Sequence, residues 1–166
     1  MKRVIKHLKI TADDVLNSDV DFIEPMWWSI DIYNGYKQYK NDLSKFTLPQ
    51  IYAFAIAWFE AEVSNGGLGQ FYENLTGIVW REVLEGFKAI GCEQAAKIIE
   101  DSAKLMGGNP SFDRKRRWKQ LERYDPDFEA LDEEFYKLDY SELMSKYIAD
   151  NAESFCFEGD IIALES

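Results

Sequence analysis

Apolar positions run without a break from Ile51 to Phe59, inside the stretch TLPQIYAFAIAWFEAEVSNGG at 47–67. A helix lying on a surface keeps one polar face, so one apolar on every side has to be enclosed by other elements. The run is shorter than the ~20 apolar residues that cross a bilayer. It predicts a buried central helix. Thr47 and Gln50 are spaced as a capping box, and Phe46 and Ile51 as the hydrophobic staple around it. Asn65-Gly66-Gly67 predicts its end, because glycine takes the left-handed conformation that closes a helix.

Helical periodicity recurs on both sides. Thr11 caps a short helix over 11–17, whose positive end Asp13 and Asp14 favour. Val4, Ile5, Leu8 and Ile10 before it fit either a helix or an extended strand. Phe22, Met26, Ile30 and Tyr33 predict a longer helix over 21–41, with Pro25 in its first turn. Trp27 and Trp28 cannot both face the same way. Residues 68–75 read as a short helix after a tight glycine corner. Val79, Val83, Leu84, Phe87 and Ile90 mark one side of a helix that Gly91 stops. Ala96, Ile99, Ala103 and Met106 mark another, ended by Gly107-Gly108.

Ser111 is placed to cap a basic helix carrying Trp118 and Leu121. Phe128, Leu131, Phe135 and Leu138 form an apolar stripe, with Glu129 and Glu133 on the opposite face. Asp139 and Glu142 are spaced as a capping box, stapled by Leu138 and Leu143, for a helix that buries Leu143, Tyr147 and Ile148. The last dozen residues read as a frayed acidic tail anchored by Phe155 and Phe157. The expected fold class is all-α: one domain over 1–166, a bundle of about seven or eight helices around the central one.

Charge adds a feature that periodicity does not show. Acidic and basic residues cancel as far as Tyr124, and the net charge of -11 arises from Asp125 onward, where 13 carboxylates face only Lys137 and Lys146. Phosphates need cations opposite them, so direct nucleic-acid binding through this region is disfavoured. Cys92 and Cys156 stand in no metal or redox spacing and read as reduced, space-filling thiols. Lys6, His7 and Lys9 interrupt any apolar run that could serve as a signal peptide, so a cytoplasmic protein without a membrane partner is expected.

Catalytic chemistry finds little support. His7 is the only histidine, and a triad or histidine metal site would need partners the chain lacks. Glu60 and Glu62, two apart on a helix, point in different directions and form no acid–base pair. One of them is expected to bond to the glycine turn. The segment 64–70 (SNGGLGQ) lacks the Lys-Ser/Thr of a phosphate loop and follows a helix rather than a strand. Its expected role is a helix corner, with Asn65 and Gln70 satisfying backbone groups. Arg114, Lys115, Arg116, Arg117, Lys119 and Arg123 form the one basic run, which could touch nucleic acid; its expected use is intramolecular or inter-subunit ion pairing beside the acidic quarter. Neither cofactor nor metal is expected.

Glu62, Asn65, Gly66, Gly67, Gln70, Phe71 and Asn74 carry a pattern similar to that of a bacterial family of small helical proteins that includes a DNA-mimic protein. The likeness continues through Ala89-Ile90-Gly91, Leu131-Asp132-Glu133-Glu134-Phe135-Tyr136 and Tyr147-Ile148, over about residues 12–152; Leu68 stands where the family pattern is more often aromatic. The resemblance implies an all-helical acidic homodimer whose surface carboxylates imitate DNA phosphates and capture a helix-turn-helix regulator. Duplex DNA presents about one charge per 1.7 Å of axis, and a helical turn rises about 5.4 Å, so carboxylates one turn apart match that scale.

The leading expectation is therefore a non-enzymatic acidic protein that binds a basic DNA-binding partner. Asp127, Glu129, Asp132, Glu133, Glu134, Glu142 and Asp150 are the candidate contacts. Two further readings are an immunity-type protein that neutralises a toxin, and a small-molecule-binding protein or enzyme with a pocket near Trp58, Glu60, Asn65 and Gln70.

Overall fold

The computed structural model describes residues 2–18 and 20–165. Strand β1 (Lys2–Ile10) leads into α1 (Ala12–Asn17), α2 (Glu24–Ser29), α3 (Tyr36–Leu43) and the long α4 (Leu48–Glu73). A 3-10 turn (Leu75–Val79) precedes α5 (Trp80–Ala89), α6 (Glu93–Leu105), α7 (Arg114–Tyr124), α8 (Glu129–Tyr136) and α9 (Ser141–Asp150). A second 3-10 turn (Ala152–Phe155) joins α9 to strand β2 (Phe157–Glu165). The expected helical bundle holds for most of the chain, with nine α-helices among the described residues rather than seven or eight, and a two-stranded ribbon that the all-α expectation lacked is present beside them.

The central helix lies where its pattern placed it. Ile51, Phe54, Ile56, Phe59 and Val63 are buried along α4, and the Phe59 ring meets Phe71, Phe87 and Phe135 edge-on at 4.9–5.9 Å. Its capping box is formed: the Thr47 N–H donates to Gln50 Oε1 (2.9 Å), and the Gln50 N–H donates to Thr47 Oγ1 (3.3 Å). The helix does not stop at 65–67. It kinks at Gly66 and Gly67 and restarts at Leu68, so the expected corner between two helices is a break within one long element.

The single helix expected over 21–41 is two. Ile30 turns extended, and Asp31 accepts the N–H groups of Tyr33 (2.7 Å) and Asn34 (3.1 Å), which holds the chain in a turn. Gly35, at φ +90°, then starts α3. Beneath this turn sits the buried Asp42 carboxylate, which accepts from the Asp31 N–H, Gln38 Nε2 and Lys45 Nζ. Burial works to raise its pKa, but these hydrogen bonds outweigh it and hold Asp42 below its ordinary value. Trp27 packs on Phe54 and Trp58 while Trp28 is exposed.

The ambiguous amino-terminal segment is extended, and the expected frayed tail is its partner strand. β1 and β2 pair antiparallel from Lys2↔Glu165 to Ile10↔Phe157. Complementary polar groups face each other along this register: Lys9 pairs with Glu158 at 3.3 Å, and His7 Nδ1 lies within hydrogen-bond distance of Asp160 at 2.7 Å. Such cross-strand pairs fix a register that few buried side chains specify. Ile10, Ile161 and Ala163 face inward, whereas Ile5 and Ile162, directly opposite each other, are exposed.

Two smaller expectations also change. Asp113, not Ser111, caps α7, accepting the Arg116 N–H at 2.9 Å. Asp139 accepts from Ser141 rather than forming a box with Glu142, and α9 lies at the periphery with Leu143 exposed and no residue fully buried.

Candidate functional site

The most specific sequence pattern builds the α4 kink. Glu62, on the last turn before the break, accepts from Gln70 Nε2 (2.6 Å), Asn74 Nδ2 (3.0 Å) and the buried Thr76 hydroxyl (2.9 Å). Asn65 Nδ2 donates to Gln70 Oε1 (3.1 Å). One carboxylate therefore ties together both limbs of the helix and the turn that follows. Asn65 and Gln70, expected to satisfy backbone groups, bond instead to side chains within this set. At both glycines a side chain would displace a member of this network. A Cβ at Gly66 would meet Gln70 Oε1 at 2.1 Å, and one at Gly67 would meet Asp132 Oδ2 at 2.4 Å. Phe71 is buried against Phe59.

Helix α8 clamps this kink from outside. A helix break leaves backbone carbonyls unpaired on one side and N–H groups on the other. The Tyr136 hydroxyl donates to the Val63 carbonyl (2.8 Å), and Asp132 Oδ1 accepts the Leu68 N–H (2.8 Å). Asp132 and Tyr136 are four residues apart and so share a face of α8. The carboxylate lies at the positive end of the second limb of α4, where a negative group is favoured.

The opposite end of that limb is held by α7. The Arg117 guanidinium donates to the carbonyls of Tyr72 (2.6 Å), Asn74 (2.5 Å) and Ser111 (2.7 Å). Arg114 Nε and Trp118 Nε1 both donate to the Glu73 carbonyl, at 2.9 and 2.7 Å. Arg114, Arg117 and Trp118 recur at helical spacing, so one face of α7 caps the carboxyl end of α4. Arg117 is fully buried. Burial foremost, then the neighbouring Arg114, lowers its pKa to about 10, which leaves it charged at neutral pH. The expected intramolecular pairing of this basic run is corrected: among the described residues none of Arg114, Lys115, Arg116, Arg117, Lys119 and Arg123 forms an ion pair within the chain.

Seven carboxylates were candidate partner contacts, and the structure divides them. Asp127, Glu129, Glu133 and Glu134 are exposed on α8 or just before it, and Glu142 is exposed on α9. None of these five forms an ion pair among the described residues. Asp150 is paired with Lys146 one turn earlier. Asp132 is half-buried in the clamp described above. Burial raises its carboxyl above the ordinary value, which the Leu68 N–H only partly offsets.

A folded-state pKa above the unfolded one means that stability is greatest below the ordinary carboxylate value. It then falls as pH rises to the folded value. Asp132→Ala is expected to cost about 1 kcal/mol, the usual worth of a helix cap. Asp132→Asn, which keeps an acceptor, should gain on the wild type as pH rises out of the carboxylate range. Urea denaturation at acid and neutral pH checks both, and an Ala variant as stable as the wild type would refute the capping role.

Two of the polar groups near the expected pocket, Asn65 and Gln70, are already occupied. Trp58 packs on Trp27 and Phe54, while Asn65 and Gln70 bond to each other. The Trp58 indole N–H is buried without a partner among the described residues. No helix among the described residues is long and apolar enough to cross a membrane.

A family model described as DMP19-like protein matches residues 44–151, which takes in the whole kink network, its α8 clamp and its α7 cap. The chain belongs to the DMP19-like protein family. No curated protein and no solved structure matches it. The DMP19-like core is narrower than the 12–152 expected. It begins at α4, so β1, the first three helices and β2 lie outside the matched span.

Proposed function

We propose that this DMP19-like protein is a non-enzymatic acidic binding protein that engages the basic surface of a DNA-binding protein, in the manner of a DNA mimic. The observation that supports this reading is the set of five exposed carboxylates, Asp127, Glu129, Glu133, Glu134 and Glu142, that no cation of the chain neutralises among the described residues. Glu129 and Glu133 are one turn apart on a rigid helix. Held in place before binding, such charges attract a cationic groove without the entropy cost of ordering flexible side chains. Asp132 and Asp150 drop out of the contact set for the structural reasons above.

The test is capture of basic proteins from lysate at low salt, followed by elution in a salt gradient and competition with duplex DNA. Capture should weaken steeply with ionic strength. It should also be displaced by DNA and fall by about tenfold or more in the triple variant Glu129→Gln, Glu133→Gln, Glu134→Gln. Capture that ignores salt, or that survives the triple variant, would overturn the reading. Sedimentation velocity on the same preparation tests the homodimer.

A further inference from the structure

We propose that the cleft between the 31–35 turn and the first turn of α7 binds a planar aromatic anion of the nucleotide class. The cleft measures about 410 Å³, within the ~300–1,000 Å³ of small-molecule sites. Its walls are aromatic. Tyr33 and Trp118 line it and are 66% and 40% exposed, while Tyr36 and Phe112 stack at 4.0 Å and 11° to close one side. Two cations, Arg114 and Lys115, line the same space, with the buried Arg117 behind them.

The exposed Tyr33 ring and Lys115, unpaired among the described residues, are groups that a bound ligand would engage. Tyr33 is held outward by a turn that Asp31 fixes from both sides, through its carboxylate to the Tyr33 and Asn34 N–H groups and through its own N–H to Asp42. An exposed aromatic ring on a fixed turn is a ready stacking surface that loses little freedom on binding. The Arg114 guanidinium lies 4.5 Å from the Trp118 ring centre, so cation and ring are already assembled. Lys115 is in no ion pair among the described residues, and the one carboxylate lining the cleft, Asp113, is engaged by the Arg116 N–H. The cleft beside Glu82 and Glu85 differs, because there Lys40 and Arg81 face two carboxylates and the charges offset. The overall charge of -11 does not oppose an anion at this site decisively. Exposed charges beyond a Debye length of about 8 Å are largely screened, so the local cations govern.

A base stacked on Tyr33 and Trp118, with its phosphate against Lys115 and Arg114, uses the exposed rings and the cations together. The probes are AMP, adenosine, inorganic phosphate and a short single-stranded oligo(dA), followed by calorimetry and by the Trp118 indole resonance. AMP should bind saturably and move that resonance, with adenosine and phosphate each at least about tenfold weaker. Tyr33→Ser and Lys115→Ala change exposed side chains and should keep the thermal melt unchanged while each weakens AMP by about tenfold. Lys146→Ala, on α9, serves as the unaffected control. An oligonucleotide binding more tightly than AMP identifies a strand end as the source of the nucleotide, and the reverse identifies a free one. Lack of saturable AMP binding at millimolar concentration, or binding that both variants leave intact, overturns the proposal.

Discussion

Arg117→Met should be strongly destabilising, lowering stability by about 3–5 kcal/mol. The carbonyls of Tyr72, Asn74 and Ser111 would lose their donor together, and a buried polar group left unpaired costs about 1–3 kcal/mol. For a chain of this size each kcal/mol shifts the melting temperature by roughly 2–4 °C, so a fall of about 6–20 °C is expected. Arg117→Lys should recover little of it, because one ammonium cannot span three carbonyls that a planar guanidinium reaches at once. Thermal and urea denaturation of both variants give the answer. A loss under ~1 kcal/mol, or full rescue by lysine, would show that the guanidinium is not what holds α7 to α4.

Gly67→Ala should follow closely, at about 2–4 kcal/mol. Its backbone, at φ +72° and ψ -174°, lies in a region that belongs almost wholly to glycine. The added methyl would also press on the Asp132 carboxylate that caps the helix restart. These two costs separate in a double-mutant cycle. Asp132→Ala should cost less in the Gly67→Ala background than in the wild type, since there it also removes a clash. Strict additivity would mean that backbone strain alone accounts for the loss.

Local devices were legible in the sequence and distant ones were not. The Thr47–Gln50 box, the Thr11 cap and the glycine stops at Gly91 and Gly107 depend on residues within one turn of one another. The burial of α4 was equally plain, because nine successive apolar residues leave no solvated face. The break over 30–35 carried a readable signal, Asp31 followed by Asn34-Gly35, which the apolar spacing of Ile30 and Tyr33 masked. The two strands could not be recognised singly. Val4-Ile5 and Ile161-Ile162 put apolar residues on both faces, which removes the alternation that marks a half-buried strand. What makes them strands is their partner at the far end of the chain.

The site divides in the same way. The pattern from Glu62 to Asn74 was recognised, but its work as a self-contained hydrogen-bond network depends on side chains returning from across a helix break. Asp132 was grouped with the surface acids because composition counts charge without regard to burial. The sign that sets it apart is its spacing of four from Tyr136, which puts an acceptor and a donor on one face of α8. The basic run misled for a related reason, since opposite charges adjacent in sequence invite pairing. Three members of α7 instead point along one face at the end of α4.

The pairing of β1 with β2 also imposes an order on biosynthesis. The first strand leaves the ribosome with Val4, Ile5, Leu8 and Ile10 and has no complement until β2, which starts at Phe157, has followed. At about 5–20 residues per second this wait is on the order of ten seconds. Long-range closure of this kind comes late, after the helices have had time to associate through nearer contacts. The ribbon is thus a clasp fastened late, and until then the nascent chain carries an open, apolar edge that invites capture by a chaperone.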